Sequence, residues 1–217
     1  MGIWEDGTPM SEVTKGREVE RTGPAVTRRR EIAQRAAELF DAAGYYSTSM
    51  EDIAESAGLR KPTLYHYFKS KDEILLEIHS EMIELILRRH EERLAAGVES
   101  HSQELRGLMG DLIELMETHP GHLRIFFEHQ RELPDRYKEA IRARRQRFRG
   151  FVFDAIAGGI EAGEFIETDV EMATLAILGM CNWTYQWLRP NQERTAAEVT
   201  ESFWQFAMRG IAVDPPV

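Results

Sequence analysis

Ser47-Thr48-Ser49-Met50-Glu51-Asp52-Ile53-Ala54, followed by Arg60-Lys61-Pro62-Thr63-Leu64-Tyr65-His66-Tyr67-Phe68 and then Ser70-Lys71-Asp72-Glu73, decides how this 217-residue chain is read. Ser49 stands just before an apolar-periodic run and is an N-cap for a helix from about Met50 to Ala57. Met50, Ile53, Ala54 and Ala57 share one face of that helix. Gly58 supplies the left-handed backbone that ends it, and Leu59 plugs the turn. Pro62 fits the first turn of the next helix, where its missing N–H costs nothing. In that helix Leu64 and Phe68, four apart, face inward, while Lys61, Thr63, Tyr65 and His66 stay outside. Two short helices around a tight turn, the second with a basic and aromatic outer face, have the layout of a helix-turn-helix that enters a DNA groove. The competing reading is a small helical domain with incidentally exposed Tyr and Lys. Caps, glycine, proline and polar face agree against it over the whole segment.

Upstream, Ile32, Ala36, Leu39, Phe40 and Ala43 form the inner face of a helix from about Thr27 to Ala43, closed by Gly44. Downstream, Ser70 and Glu73 make a capping box that opens a fourth helix reaching about Ala96. Its N-terminal N–H groups, its dipole and Lys71 together suit a phosphate. Ile74, Leu75, Ile78, Met82, Leu85 and Ile86 line one stripe of it, widened by Ile83 and Leu87. A helix that long cannot bury itself on the small reading head alone, so it bridges to a second unit. Arg28, Arg29 and Arg30 crowd the start of the first helix, an unfavourable place for cations on dipole grounds. They are either an arm lying on DNA phosphate or the minor groove, or a solvated cluster. Residues 1–24 lack apolar periodicity, end in Thr22-Gly23-Pro24 and read as a disordered tail.

At these residues the segment Thr27 to Glu73 resembles the N-terminal domain of the TetR family of bacterial one-component regulators. The run Thr63-Leu64-Tyr65-His66-Tyr67-Phe68 with Ser70-Lys71-Asp72-Glu73 after it carries the resemblance. It implies that Lys61 reads bases, that Pro62 and Thr63 touch bases or phosphate, and that Tyr65, His66, Tyr67 and Lys71 hold the DNA backbone. Arg60 stands where family members often carry a small polar residue, and a basic group there adds a phosphate contact. Arg28, Arg29, Thr48 and Ser49 complete the candidate DNA-binding set. The resemblance also implies a homodimer on a palindromic double-stranded operator, acting as a repressor under a small-molecule effector. The expected division is a tail over 1–24, a helix-turn-helix domain over 25–71, and a helical effector-binding and dimerisation domain over 72–217.

Composition fits that division. The chain is 42% hydrophobic and carries a formal net charge of -10. Residues 25–70 hold seven Lys/Arg against six Asp/Glu, whereas residues 71–217 hold 17 against 26. The acidic excess therefore sits away from the reading head, whose basic groups are focused on one surface. The lone Cys181 excludes an intramolecular disulfide and reads as core filler. Met1 to Arg21 is too polar for a signal peptide, and the uncharged stretch Met172 to Leu188 reads as a buried helix rather than a membrane span. A cytoplasmic protein without membrane contact is expected.

Further helical patterns cover about Gln103–Thr118, Gly121–Glu132, Asp135–Ala162, Val170–Trp187 and Thr195–Arg209. They are punctuated by His119-Pro120-Gly121, Leu133-Pro134, Gly163, Arg189-Pro190 and the capping box Thr195 to Glu198. No strand alternation appears, so the fold class is all-α: a three-helix reading domain joined by a long helix to a larger helical domain. Met172 to Cys181 is apolar nearly all round, and the last helix offers Phe203, Trp204, Phe206, Ala207 and Ile211. These two helices either pair with their symmetry mates as a four-helix bundle or close the core of a single subunit. Met82, Leu108, Leu112, Met116, Phe126, Phe127, Phe151, Trp183 and Trp187, with Asn182 and Gln186 as polar handles, are candidate linings of an effector cavity or plain core.

The C-terminal half resembles a TetR subgroup that senses acyl-CoA thioesters. The pieces are Ile125-Phe126-Phe127-Glu128-His129-Gln130-Arg131 and Asn182-Trp183-Thr184-Tyr185-Gln186-Trp187-Leu188-Arg189-Pro190. Arg142, Arg145 and Arg149 share a helix face and either meet CoA phosphates or are solvated and paired with nearby Glu. No glycine-rich phosphate loop or Gly-x-Ser-x-Gly elbow is present, so no enzyme, cofactor or metal is expected. A helical metal-binding enzyme, through His119, His122, His129 and Glu128, and a structural interaction bundle are the alternatives. Pro120-Gly121 makes the histidine spacing a helix entry rather than a ligand face.

Overall fold

The computed structural model describes residues 24–129, 132–189 and 193–213. The expectations for residues 1–23, for Gln130-Arg131 and for Pro190 lie outside the described residues. Helices α1 (Pro24–Ala43), α2 (Met50–Ser56) and α3 (Lys61–Tyr67) form the N-terminal head. Helix α4 (Lys71–Ala96) leaves it and runs into a layer of α5 (His101–Thr118), α6 (Pro120–Glu128), α7 (Asp135–Glu161), α8 (Val170–Trp183) and α9 (Ala196–Ile211). The described residues contain no strand, only an isolated bridge between Phe165 and Ala212. The all-α class holds.

Local chemistry sets the boundaries in the head. The Ser49 hydroxyl accepts the Asp52 N–H, and the Asp52 carboxylate accepts the Ser49 N–H at 2.7 Å, a closed capping box for α2. Gly58 takes φ of +65°, and the Leu59 N–H then reaches the Ala54 carbonyl at 2.8 Å. Leu64 and Phe68 are fully buried with Ile32, Ala36, Phe40 and Ile53. Ala43 is exposed rather than part of the inner face, because Ala33 and Ala37 fill that side of α1. Ser70 caps α4 by accepting the Glu73 N–H, but the Glu73 carboxylate reaches back one residue further, to the Lys69 N–H at 2.6 Å.

In the second unit α5 is the central helix, packed on α4, α6, α7, α8 and α9. Gly159 of α7 lets the Phe165 ring lie where a side chain would be, since a Cβ there would stand 2.3 Å from that ring. Helix α8 ends at Trp183 rather than continuing to Trp187. The Thr184 hydroxyl donates to the Cys181 carbonyl at 2.6 Å, and the chain tightens into a 3-10 turn over Thr184–Gln186. Helix α6 likewise stops at Glu128, before the expected Glu132. Among the described residues no helix is long and apolar enough to cross a membrane.

One side of α8 is core, through Thr174, Ile177 and Cys181. Its other side is bare: Met172 is 60% exposed and Trp183 63%, with Leu175, Ala176 and Gly179 between them. On α9, Phe206 is 69% exposed beside half-buried Phe203 and Trp204.

Candidate functional site: a DNA-reading head and the cavity behind it

On α3, Lys61, Pro62, Tyr65 and His66 are exposed and Thr63 is half-buried, with Arg60 exposed at the helix entry. This is a polar face on a helix whose other side, through Leu64, is locked into the core. Lys61 forms an exposed ion pair with Glu51 of α2 at 3.0 Å. Such surface pairs contribute about 0–1 kcal/mol, so the Lys61 ammonium separates from Glu51 at little cost.

Three other basic groups of the head, Lys71, Arg28 and Arg29, are engaged with its own backbone. The Lys71 ammonium donates to the carbonyls of Tyr45 and Thr48, both at 2.7 Å, and lies 4.7 Å from the Tyr45 ring centre. The Tyr45 hydroxyl donates to Asp72 at 2.7 Å; burial and that carboxylate raise the phenol's pKa. The loop before α2 is thereby tied to the start of α4. Arg28 donates to the Ala57 carbonyl at 2.8 Å and to Glu31. Arg29 reaches the Tyr67 carbonyl and Glu77, and its guanidinium stacks on Phe68 at 4.0 Å. Thr48 is buried, with its hydroxyl on the Gly44 carbonyl at 2.9 Å, and the Ser49 hydroxyl is spent on the cap. Tyr67 is half-buried. Of the candidate DNA-binding residues, the outer face of α3 is displayed, whereas Arg28, Arg29, Thr48, Ser49 and Lys71 brace the display.

Behind the head lies a cavity of about 220 Å³. Met82, Ile83 and Ile86 of α4, Leu112, Leu115 and Met116 of α5, and Leu123, Phe126 and Phe127 of α6 give it an apolar lining. Arg145, Phe148 and Arg149 of α7, with Leu178 and Asn182 of α8, close it. Burial draws the Arg145 pKa down to about 10, and its guanidinium stacks 4.1 Å from the Phe126 ring centre. A second, larger groove between α4, α5 and α9 is more open, and its charged groups are engaged, Arg93 with Asp111, Arg106 with Glu201 and Glu114 with Arg89. The more apolar and less open cavity is the candidate ligand site.

Helix α6 carries two jobs at once. Leu123, Phe126 and Phe127 wall the cavity, while Arg124 pairs with Asp41 of α1 at 2.8 Å. Gly121 of the same helix lies against the Ala37 carbonyl and Asp41.

A head of this geometry, a long connecting helix and a walled cavity agree with two matches to known families. Residues 32–78 match the model described as bacterial regulatory proteins, tetR family. Residues 98–211 match the tetracyclin repressor-like C-terminal domain. The chain belongs to the TetR family. It is a DNA-binding transcriptional regulator. Among curated relatives it is 27% identical over 191 residues to the HTH-type transcriptional repressor KstR2 of Mycobacterium tuberculosis, covering 87% of this chain and 95% of that protein. The solved structure of that ketosteroid transcriptional regulator superposes with a TM-score of 0.78 over 86% of this chain and 96% of the other. The TetR-family regulator PfmR of Thermus thermophilus is 31% identical, with a TM-score of 0.77 over 84% of this chain and 98% of that one. AibR, solved in complex with isovaleryl coenzyme A and operator DNA, shares the fold at 24% identity, with a TM-score of 0.73 over 82% of this chain and 97% of that one.

In this TetR-family regulator the cavity gathers Met82, Leu112, Met116, Phe126, Phe127 and Asn182 from the residues expected from sequence. It does not gather Leu108, Phe151, Trp183, Gln186 or Trp187. Leu108 is buried elsewhere along α5, and Phe151 stacks on His90 with ring centres 4.3 Å apart. Trp183 lies on the bare side of α8, and Gln186 and Trp187 are turned outward by the tighter turn that follows it. Ile83 and Ile86 are readable from sequence as the i+1 and i+4 neighbours of Met82. Leu115, Leu123, Phe148 and Leu178 carry no signal that separates cavity from core. The arginine cluster splits: Arg144 and Arg147 pair with Glu84 and Glu91, Arg142 is exposed, and Arg145 and Arg149 line the cavity. His119 and His122 come within 5.9 Å, ring centre to ring centre, but among the described residues no three such groups are placed to hold a metal.

Proposed function

We propose that this regulator works as a homodimer that represses transcription from a palindromic operator and is released by a small effector with an acyl body, carried as a CoA thioester. The observation that carries the reading is the double contact of α6, which walls the cavity with Phe126 and grips the reading head through Arg124 and Asp41. A ligand that displaces the cavity wall moves α6, and α6 cannot move without shifting α1. Helix α4 adds a second link, since it begins at the braced Lys71 and passes the cavity at Met82.

The bare apolar side of α8 and α9 supports the dimer, because exposed patches of this kind mark interaction sites. In a two-fold dimer that reads successive major grooves the two α3 helices are expected about 34–36 Å apart, one turn of DNA. The AibR complex supports the effector class, since that protein holds a CoA thioester and operator DNA on the same fold. A switch from mostly bound to mostly free needs a ligand preference of roughly 5 kcal/mol for the released state.

The test begins by sequencing DNA captured by the purified protein and measuring its affinity by fluorescence anisotropy. A palindromic motif is expected, with Lys61→Ala changing base preference at one position of each half-site. Phe206→Asp should yield monomers by light scattering and weaken operator binding. Acyl-CoA thioesters titrated into the wild-type complex should release DNA. A folded, dimeric Phe206→Asp protein would displace the interface from α8 and α9. Thioesters that leave the complex intact while other small molecules dissolve it would remove the CoA assignment and keep the repressor.

A further inference from the structure

The polar wall of the cavity is one turn of α7. Arg145 and Arg149 stand four apart on it, and among the described residues no Asp or Glu lines the cavity. Arg149 pairs with Glu171 of α8. Arg145 turns inward, with its guanidinium over the Phe126 ring and one nitrogen donating to the Phe126 carbonyl at 3.2 Å.

The same ring covers a second polar group. His79 of α4 lies one turn before Met82 and is fully buried, and its ring centre is 4.9 Å from that of Phe126. Among the described residues neither His79 nitrogen has a hydrogen-bond partner. Burial, with the charges of Arg145 and His129 adding to it, draws its pKa down to about 3, so the imidazole is neutral and keeps one N–H donor. A buried donor without an acceptor is unfavourable and calls for an explanation. Here an apolar ring that is also a cavity wall lies against both a cation and an unsatisfied donor.

We propose that Phe126 is a gate over an inner anion subsite, and that the effector bears a carboxylate on a small apolar body. With Phe126 swung aside, Arg145 and His79 receive the carboxylate, and the body fills the space among Met82, Leu112 and Met116. The inference rests on the effector reading given above and narrows its ligand class. A buried carboxylate demands a paired charge and hydrogen-bond donors, and the Arg145 guanidinium and the His79 N–H against the Phe126 ring are of that kind. A cavity of about 220 Å³ suits a small apolar body. The gate sits on α6, so opening it acts on the helix that grips α1.

Such a carboxylate has two sources: a free short-chain acid, or the far end of a dicarboxylic acid whose other end is the CoA thioester. Isothermal titration of the full-length protein, without DNA, separates them with four probes: octanoate, octanol, octanoyl-CoA and suberyl-CoA. Octanoate should bind roughly tenfold or more tighter than octanol if the free acid is the source. Suberyl-CoA should exceed octanoyl-CoA by a similar factor if the thioester is. In Arg145→Gln and in His79→Leu the advantage of the acid over its neutral counterpart should collapse. Equal binding of acid and neutral probe in both pairs, or no binding by any of the four, would overturn the subsite. So would an Arg145→Gln protein that keeps the full preference. The wild-type comparison needs no variant and decides the matter if the substitutions unfold the protein. Anisotropy on the operator complex keeps the two readings apart: an acid that binds but leaves DNA affinity unchanged supports the subsite and sinks ligand-controlled release. Release by octanol as readily as by octanoate does the reverse.

Discussion

Lys71 shows how a residue can have the right type for one task and the geometry for another. By sequence its ammonium belongs to a phosphate, being a cation at a helix N-terminus on the DNA side. In the structure that ammonium holds the Tyr45 and Thr48 carbonyls together at 2.7 Å each. Hydrogen bonds to charged donors are worth about 1.5–3 kcal/mol each, more than an exposed ion pair contributes. We therefore expect Lys71→Met to destabilise the head by about 2 kcal/mol in thermal unfolding. It should weaken operator and random DNA alike, because the loop before α2 loses its tie to α4. A direct phosphate contact has a different signature: the slope of log affinity against log salt falls by about 1. Anisotropy across a salt series should show an unchanged slope. A shallower slope with unaltered unfolding would mean that Lys71 leaves its carbonyls for the DNA.

At the scale of elements, α6 is the piece that joins sensing to reading. The Arg124–Asp41 pair is partly exposed, so its loss should change stability by at most about 1 kcal/mol. Its effect on coupling should be larger. In Arg124→Ala, effector affinity of the DNA-free protein should stay near wild type, while the ratio of effector affinities with and without operator shrinks several-fold. Linkage requires operator affinity to change by the same ratio, so two independent titrations check one number. A wild-type ratio in the variant would pass the coupling to α4 alone. The cavity job of α6 is legible in the sequence only at Phe126 and Phe127 and its grip on α1 not at all, and the reason is physical. Strong caps at Ser49, Ser70 and Thr195 fix helix starts whatever surrounds them, which is why α2, α4 and α9 begin within a residue of where the sequence places them. The end of α8 is hidden because Trp187 continues the apolar pattern, whereas the decisive bond is one hydroxyl, Thr184, turning back onto Cys181. Which face of α6 meets α1 and which meets the cavity depends on tertiary packing, and Leu123 and Phe126 would look the same in a solid core. Arg145 is the extreme case: with Arg142 and Arg149 it reads either as a CoA-phosphate contact or as one more solvated cation, yet it is the one stacked on Phe126.

Across the whole molecule the buried histidines set a stability window. His79 and His122 are fully or almost fully buried, and burial draws their pKa values down to about 3 and about 4. In the unfolded chain both titrate near the ordinary value of about 6.5. Well above pH 7 both are neutral in either state and contribute no pH dependence. As pH falls through about 6.5 the unfolded chain takes up protons that the folded one refuses, so folding stability drops with acidification. The loss continues until the folded values are reached and is on the order of several kcal/mol for the two together, a large share of the ~5–15 kcal/mol of a typical fold. Glu81 and Asp111 work in the opposite direction, because desolvation raises their carboxyl pKa values. Their protonation in the fold offsets part of the histidine loss as the pH falls through their raised values. Urea unfolding at pH 7.5, 6 and 5 should give midpoints that fall steadily, and His79→Leu, which removes the most strongly shifted of the two, should flatten the trend. Midpoints that hold or rise between pH 7.5 and 5 would mean that the unpartnered His79 ring finds an acceptor for its proton inside the fold. In that case the space under Phe126 would already be hydrated.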